Sequence, residues 1–148
     1  MKYDTIKGLD KKISKLIMGN DNQTKFDVAA KLWDHWIEVG GNCFDNAYIY
    51  GNGVMEELLG EWHTKRNNTK EIVIVAKGGH TPNCDPKSIS KQLTKSLERL
   101  KVDSVDIYIM HRDNIEIPVG EFIDVLNEEK KSGKIKIFGG SNWTLDRF

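Results

Sequence analysis

The sequence has 148 residues, with 22 lysines and arginines against 22 aspartates and glutamates, so its formal net charge is zero. This length suits one domain with a substantial core, and the balanced charge argues against a nucleic acid or a membrane surface as partner. The longest aliphatic run, residues 72–76, is also far too short to cross a bilayer.

The first half of the chain alternates short strands with amphipathic helices. Residues 15–18 form an apolar run that ends at Gly19 and predict the first strand, and residues 42–45 predict the second. The helix between them begins at a predicted Thr24 N-cap and ends at Gly40-Gly41. Its apolar residues recur at helical spacing: Phe26, Ala29, Ala30, Trp33 and Ile37. The next helix has the apolar residues Met55, Leu58, Leu59 and Trp62.

The third strand is the clearest element in the sequence. Residues 71–77 predict a strand because their β-branched side chains pack well on a pleated surface but crowd in a helix. Asp85 and Pro86 then suit the N-cap and the first position of a helix. The apolar residues of that helix are Ile89, Leu93, Leu97 and Leu100.

The last predicted elements continue the alternation. A strand at residues 105–110 is followed by a helix that begins at Pro118 and ends at Ser132-Gly133. A strand at residues 135–139 comes next, and Thr144 begins a further helix.

This order of strands and helices implies parallel strands with right-handed crossovers. Two architectures fit, an open doubly wound sheet or part of an eight-unit barrel. A doubly wound nucleotide-binding fold carries a glycine-rich turn after its first strand, whereas residues 19–22 read GNDN. We therefore predict an α/β fold of the (β/α)8 TIM-barrel type, truncated after strand 5, because a complete barrel takes about 250 residues. Residues 1–148 would form one partial domain.

Reactive polar residues follow four of the predicted strands, at the end where barrel enzymes build their active sites. These residues are Asp45 and Tyr50, Lys77, His111, and Ser141 with Asn142. Each one alone has an ordinary structural interpretation, as a cap, a solvated strand end or a hydrogen-bonded buried group. Their joint arrangement favours a functional site. We assign His35 and His63 to packing, and leave His80, near the same rim, open.

The cellular setting is predicted from the N-terminus and the cysteines. The first residues are charged throughout and lack the apolar segment of a secretory signal. The two cysteines, Cys43 and Cys84, have no metal-binding or redox spacing. These features predict a reduced, cytoplasmic protein without a metal.

Four motifs in order resemble the aldo-keto reductase superfamily. They are residues 44–53 (FDNAYIYGNG) with Glu57, the pair Ala76-Lys77, residues 106–112 (DIYIMHR), and residues 133–135 leading to residues 140–143 (GSNW). The resemblance runs from about Met18 to the last residue, with family-like spacing. It implies an NADPH-dependent reduction of an aldehyde or ketone, with Asp45, Tyr50, Lys77 and His111 as catalytic residues.

The residue types suit that chemistry. A hydride that reaches a carbonyl carbon leaves negative charge on the oxygen, to which Tyr50 would donate a proton as general acid. A free tyrosine has a pKa of about 10, and a neighbouring ammonium such as that of Lys77 favours the phenolate. Asp45 would orient Lys77, and His111 would hydrogen-bond the carbonyl oxygen of the small-molecule substrate.

The resemblance also implies a set of cofactor-binding residues. These are Gly19, Asn20, Asp45, Ser141 and Asn142, of which Ser141 and Asn142 resemble the pair that bonds the nicotinamide carboxamide. Gly19-Asn20 departs from the Gly-Thr that is usual in the family. Because the family's last three strands have no counterpart here, we expect the chain alone to be impaired. Its exposed strand edges predict self-association.

Three alternatives remain at the level of sequence. The first is a non-catalytic binding or regulatory module of reductase ancestry, like the β subunits of potassium channels. The second is an aldolase in which Lys77 forms a Schiff base. The third, a metal hydrolase, has the least support, because no histidines or carboxylates have ligand spacing.

Overall fold

The computed structural model describes residues 1–148 and contains two sheets and four α-helices. An antiparallel hairpin pairs β1 (Tyr3–Asp4) with β2 (Ile13–Ser14). The larger sheet contains, in spatial order, β3 (Met18–Gly19), β4 (Cys43–Asp45), β5 (Val73–Gly78), β6 (Val105–Met110) and β7 (Ile135–Gly140). The helices that connect these five strands are α1 (Phe26–Glu38), α2 (Val54–Arg66), α3 (Pro86–Leu100) and α4 (Val119–Lys131). Two short 3-10 turns cover Tyr50–Gly53 and Leu145–Arg147.

The predicted fold class is confirmed by the strand order. The five strands of the larger sheet are all parallel, and each pairs with the next one along the chain. A doubly wound sheet reverses its direction of winding at a switch point, whereas this sheet keeps one direction. The arrangement is that of consecutive β/α units in a TIM-type barrel. None of the four helices is long and apolar enough to cross a bilayer.

An aromatic cluster fills the space between the sheet and the first two helices. Trp33 of α1, Phe44 of β4 and Trp62 of α2 are fully buried, with ring centres 5.2 to 6.4 Å apart. Both indoles find a partner for their N–H group, which buried tryptophans usually require. Trp33 Nε1 donates to Asn20 Oδ1 at 2.8 Å, and Trp62 Nε1 donates to Asp34 Oδ1 at 2.9 Å. This cluster therefore ties α1 and α2 to the first two strands of the larger sheet.

The hairpin covers the opposite face of the sheet. Ile13 packs with Cys43, Val73 and Val75 in a second buried cluster. Lys11, on the hairpin connection, donates to Ile72 O at 2.6 Å and forms an ion pair with Asp106 at 3.1 Å. Because side chains alternate between the faces of a strand, the face that holds Val73 and Val75 also holds Lys77, further along β5.

The beginning of the chain differs from the prediction in three ways. The hairpin was not predicted, because its strands have two residues each and both residues of β1 are exposed, which leaves no hydrophobic pattern. The first strand of the barrel is Met18–Gly19 rather than residues 15–18, since Leu16 and Ile17 are 64% and 50% exposed. The Thr24 cap is wrong: Lys25 occupies the N-cap position of α1 and no side chain caps that helix.

Later elements agree more closely with the sequence. Asp85 is the N-cap of α3 as predicted, and its Oδ1 accepts a hydrogen bond from the Ser88 backbone N at 2.9 Å. The strands predicted at residues 71–77, 105–110 and 135–139 correspond to β5, β6 and β7 within two residues at each end. Thr144 precedes the short 3-10 turn Leu145–Arg147.

Candidate active site

An ion pair joins the ends of two neighbouring strands. Asp45 is the last residue of β4, and Lys77 lies one residue before the end of β5. Lys77 Nζ lies 2.7 Å from both carboxylate oxygens of Asp45, and the lysine side chain is only 9% exposed. Burial alone would lower the pKa of Lys77, but hydrogen bonds and charges from Asp45 and Tyr50 outweigh burial and raise that pKa. Lys77 is therefore a protonated, oriented ammonium group.

Tyr50 lies beside this ammonium group. The residue opens the turn Tyr50–Gly53, and the centre of its ring lies 5.0 Å from Lys77 Nζ. The ring is also 5.7 Å from the ring of His111 and nearly perpendicular to it, at 87°. A phenol, an ammonium, a carboxylate and an imidazole from three strand ends thus meet in one place.

His111 follows β6 and is kept neutral by its surroundings. Burial, together with the positive charges of Lys77 and Arg112 and with His80, lowers its pKa from 6.5 to about 4. Its Nδ1 is buried without a hydrogen-bond partner, and its backbone N donates to Gly78 O at 2.7 Å. A neutral imidazole carries one N–H donor and one acceptor nitrogen, so His111 can donate one hydrogen bond into the site.

The depressed pKa of His111 predicts a pH dependence of stability. Between pH 6.5 and about 4, the unfolded protein binds a proton at this histidine and the folded protein does not. The stability that depends on neutral His111 is therefore fully present above pH 6.5 and is lost as the pH falls towards 4. We expect the thermal midpoint of the native protein to fall over this interval, and to fall less in His111→Asn.

Thermal unfolding followed by circular dichroism at several pH values measures how the thermal midpoint of each protein changes with pH. Burial also lowers the pKa of His63, which gives a pH dependence of the same sign in both proteins. The informative quantity is therefore the difference between wild type and His111→Asn at each pH. Parallel curves for the two proteins would contradict a buried neutral His111.

A groove of about 350 Å³ beside the ion pair contains four of the sequence-predicted residues. Its polar lining consists of Gly19, Asp45, Lys77 and Ser141. The remaining lining is apolar, from the hairpin side and the sheet: Ile6, Ile13, Ile17, Val75, Ile107 and Ile109. An apolar groove with few polar groups at one end is typical of a small-molecule site.

Ser141 and Asn142 lie directly after β7, next to the His111 segment. Asn142 has a φ of 61°, and its Nδ2 donates to His111 O at 2.9 Å and to Ser141 Oγ at 3.0 Å. The backbone N of Ser141 donates to Met110 O at 2.9 Å. Ser141 lines the groove, and the Asn142 amide is held beside its hydroxyl.

Asn20 has a different environment from the other predicted cofactor residues. It has no exposed surface, and its Oδ1 accepts the hydrogen bond from Trp33. Its backbone N donates to Asp45 O at 3.0 Å. Asn20 therefore connects the aromatic cluster to the strand that carries Asp45, whereas Gly19 is exposed, with open space where a side chain would be.

Several residues near the site had no clear signal in the sequence. The His80 ring lies 4.9 Å from that of His111, and Arg112 Nε approaches His80 Nε2 at 3.5 Å. The carboxylate that is buried at the start of α2 is Glu56, while Glu57, noted in the sequence motif, is exposed. Glu56 pairs with Arg99 of α3 at 3.1 Å. The sequence alone does not show which of these two adjacent glutamates is buried.

The chain matches the family model described as "Aldo/keto reductase family" over residues 15–148. It belongs to the aldo-keto reductase family. Aldo-keto reductase yakc of Schizosaccharomyces pombe, whose name specifies NADP(+), is 32% identical over 71% of this chain. A probable voltage-gated potassium channel subunit beta of Oryza sativa subsp. japonica is 32% identical over 85% of it. These relatives are themselves covered to 34% and 40% of their length.

A solved aldo-keto reductase confirms the fold over nearly the whole chain. The holo form of AKR11C1 from Bacillus halodurans superposes with a TM-score of 0.85 at 27% identity. The match covers 96% of this chain and 50% of the reductase. The chain thus spans between about a third and a half of the length of these aldo-keto reductases, and its relatives include oxidoreductases.

Proposed function

We propose that this chain carries the catalytic residues of an NADPH-dependent reductase that converts an aldehyde or ketone to an alcohol. The observation that carries the proposal is the Asp45–Lys77 ion pair at 2.7 Å with the Tyr50 ring 5.0 Å from the same ammonium group. We further propose that residues 1–148 act as one partial domain and that the protein works in the cytoplasm.

The cofactor site is proposed on the groove beside the ion pair. Ser141 lines this groove with Asn142 bonded to its hydroxyl, and a hydroxyl next to an amide suits the carboxamide of a nicotinamide ring. The open space at Gly19 leaves room for a ring or a sugar. The next residue, Asn20, is buried and supports Gly19 from the core. The name of the S. pombe relative supports NADP as the dinucleotide.

The residues would act on the carbonyl oxygen in the following way. NADPH, when bound, supplies the hydride. Tyr50 donates its phenolic proton to the oxygen as negative charge develops there, and the Lys77 ammonium stabilises the resulting phenolate. Asp45 holds Lys77 charged and oriented. Neutral His111 donates a hydrogen bond to the same oxygen, which stabilises the charge before the proton arrives.

The proposal is tested with the native protein, expressed from its own gene. We expect saturable enhancement of nicotinamide fluorescence on titration with NADPH, and NADPH oxidation when a simple aldehyde is added. A folded native protein that neither binds NADPH nor oxidises it would contradict the proposed function. The Schiff-base alternative is tested in the same sample by borohydride trapping, and the raised pKa of Lys77 argues against it, since the nucleophile must be a neutral amine.

A second candidate is a binding or regulatory subunit of reductase ancestry. One observation favours it: one relative is named as a probable voltage-gated potassium channel subunit beta. An unpaired strand edge can accept a strand from another chain, so this candidate includes self-association. Light scattering of the native protein distinguishes the candidates, because an obligate complex without turnover supports the subunit and an active monomer supports the enzyme.

A further inference from the structure

The loop that carries Tyr50 contains a run of left-handed backbone. Gly51 and Asn52 have φ values of 55° and Gly53 has a φ of 99°, so three consecutive residues lie in the left-handed region. Glycine adopts this region freely and asparagine tolerates it. Two local backbone bonds, from Tyr50 N to Ala47 O and from Asn52 N to Ile49 O, are both 3.1 Å long.

A side chain of α3 adds two further hydrogen bonds to this loop. Arg99 Nη1 donates to Tyr48 O at 3.0 Å, and its Nη2 donates to Asn52 O at 3.4 Å. The guanidinium therefore bonds the carbonyl two residues before Tyr50 and the carbonyl two residues after it. Its central carbon also lies 4.7 Å from the centre of the Tyr48 ring, a cation–π distance.

Arg99 is held in turn by a buried carboxylate. Its Nη1 lies 3.1 Å from Glu56 Oε2, with the Arg99 side chain 13% exposed and that of Glu56 fully buried. Burial raises the pKa of Glu56, and the hydrogen bond and charge of Arg99 oppose that rise. A Cβ at Gly53 would overlap Arg99 Cζ. The guanidinium thus occupies the space where residue 53 would otherwise place a side chain.

From this geometry we propose that Arg99 is a positioning residue for Tyr50 and that Glu56 fixes Arg99. The inference rests on the proposed function, in which Tyr50 donates the proton. Arg99 binds the loop on both sides of Tyr50 and so keeps the phenol beside Lys77. In this role Arg99 contacts neither the substrate nor the cofactor. Loss of the guanidinium therefore slows proton transfer but leaves the nicotinamide groove on β7 intact.

The kinetic test uses Arg99→Ala and Arg99→Lys in the native protein with NADPH and an aldehyde. We expect Arg99→Ala to lower kcat by about 10²-fold, the cost of a displacement on the order of 1 Å at a reacting group, with the KM for NADPH unchanged. Arg99→Lys keeps one cationic donor and recovers part of kcat. An unchanged kcat in Arg99→Ala, or a rise in the KM for NADPH without loss of kcat, overturns the proposal.

The matched control is Arg66→Ala. Arg66, at the C-terminal end of α2, forms a guanidinium–carboxylate pair with Asp34 of α1. The Tyr50 loop precedes the opposite end of α2. We expect this variant to keep the wild-type kcat. If Arg66→Ala lowers kcat as much as Arg99→Ala does, the loss reflects stability and the positioning role is wrong.

A spectroscopic test of the same proposal does not require enzyme activity. The sequence has four tyrosines, so 3-fluorotyrosine labelling gives four ¹⁹F resonances that single Tyr→Phe variants assign. We expect Arg99→Ala to move the Tyr50 resonance and to leave that of Tyr3, on the hairpin, in place. An unmoved Tyr50 resonance overturns the positioning role. A native protein without reductase activity contradicts the proposed function alone, and the Tyr50 resonance then still decides the role of Arg99.

Discussion

Replacement of Tyr50 with phenylalanine in the native protein is expected to lower kcat for carbonyl reduction by about 10²–10⁴-fold, the range for loss of a general acid. Phenylalanine keeps the ring that contacts His111 and Lys77, but it has no proton to give to the carbonyl oxygen. The affinity for NADPH is expected to stay at the wild-type value, because the proposed nicotinamide contacts come from Ser141 and Asn142. Fluorescence titration and steady-state kinetics on one preparation measure both quantities.

The matched control for this substitution is Tyr108→Phe. Tyr108 is fully buried in β6, and its hydroxyl has no hydrogen-bond partner, so removal of that hydroxyl leaves no other group unpaired. We expect Tyr108→Phe to keep the wild-type kcat. Turnover that survives in Tyr50→Phe would show that another group donates the proton, and the proposed mechanism would be wrong.

Replacement of Trp33 with alanine is expected to lower the free energy of unfolding by about 3–5 kcal/mol, the range for a fully buried tryptophan. The substitution removes the contacts with Phe44 and Trp62 and leaves Asn20 Oδ1 without its donor. For a domain of this size, each kcal/mol lowers the thermal midpoint by about 2–4 °C. Thermal unfolding followed by circular dichroism measures the shift.

Two further variants separate the causes of that loss. Trp33→Phe keeps much of the packing but lacks the N–H group, so its midpoint should lie between those of wild type and Trp33→Ala. Leu32→Ala, at an exposed position of the same helix, should change the free energy of unfolding by less than about 1 kcal/mol. Equal losses at positions 32 and 33 would contradict the assignment of Trp33 to the core.

The parts of the fold that sequence predicts well are those with a strong local signal. The β-branched run in β5 is buried at all of its positions, and Asp85 caps α3 because a carboxylate before proline satisfies a free backbone N–H of the first turn. The strand-end residues Asp45 and Lys77 are predictable for a related reason. Parallel strands of one sheet end on one side, so their last polar residues meet there.

The parts that sequence does not predict depend on contacts between distant segments. The buried state of Asn20 depends on Trp33, and the burial of Glu56 rather than Glu57 depends on Arg99, 43 residues further along the chain. His80 reaches the site only because the loop after β5 brings its ring to His111. No pattern within a single element contains this information.

The ion pair between Lys11 and Asp106 has a consequence for the order in which the chain folds during synthesis. The two residues are 95 positions apart, and a ribosome that adds about 5–20 residues per second needs roughly 5–20 s to deliver the second after the first. The apolar partners of Ile13, Cys43 and Val73, both precede Asp106 in the order of synthesis. The hydrophobic partners of the hairpin therefore emerge from the ribosome before its ionic partner on β6 does.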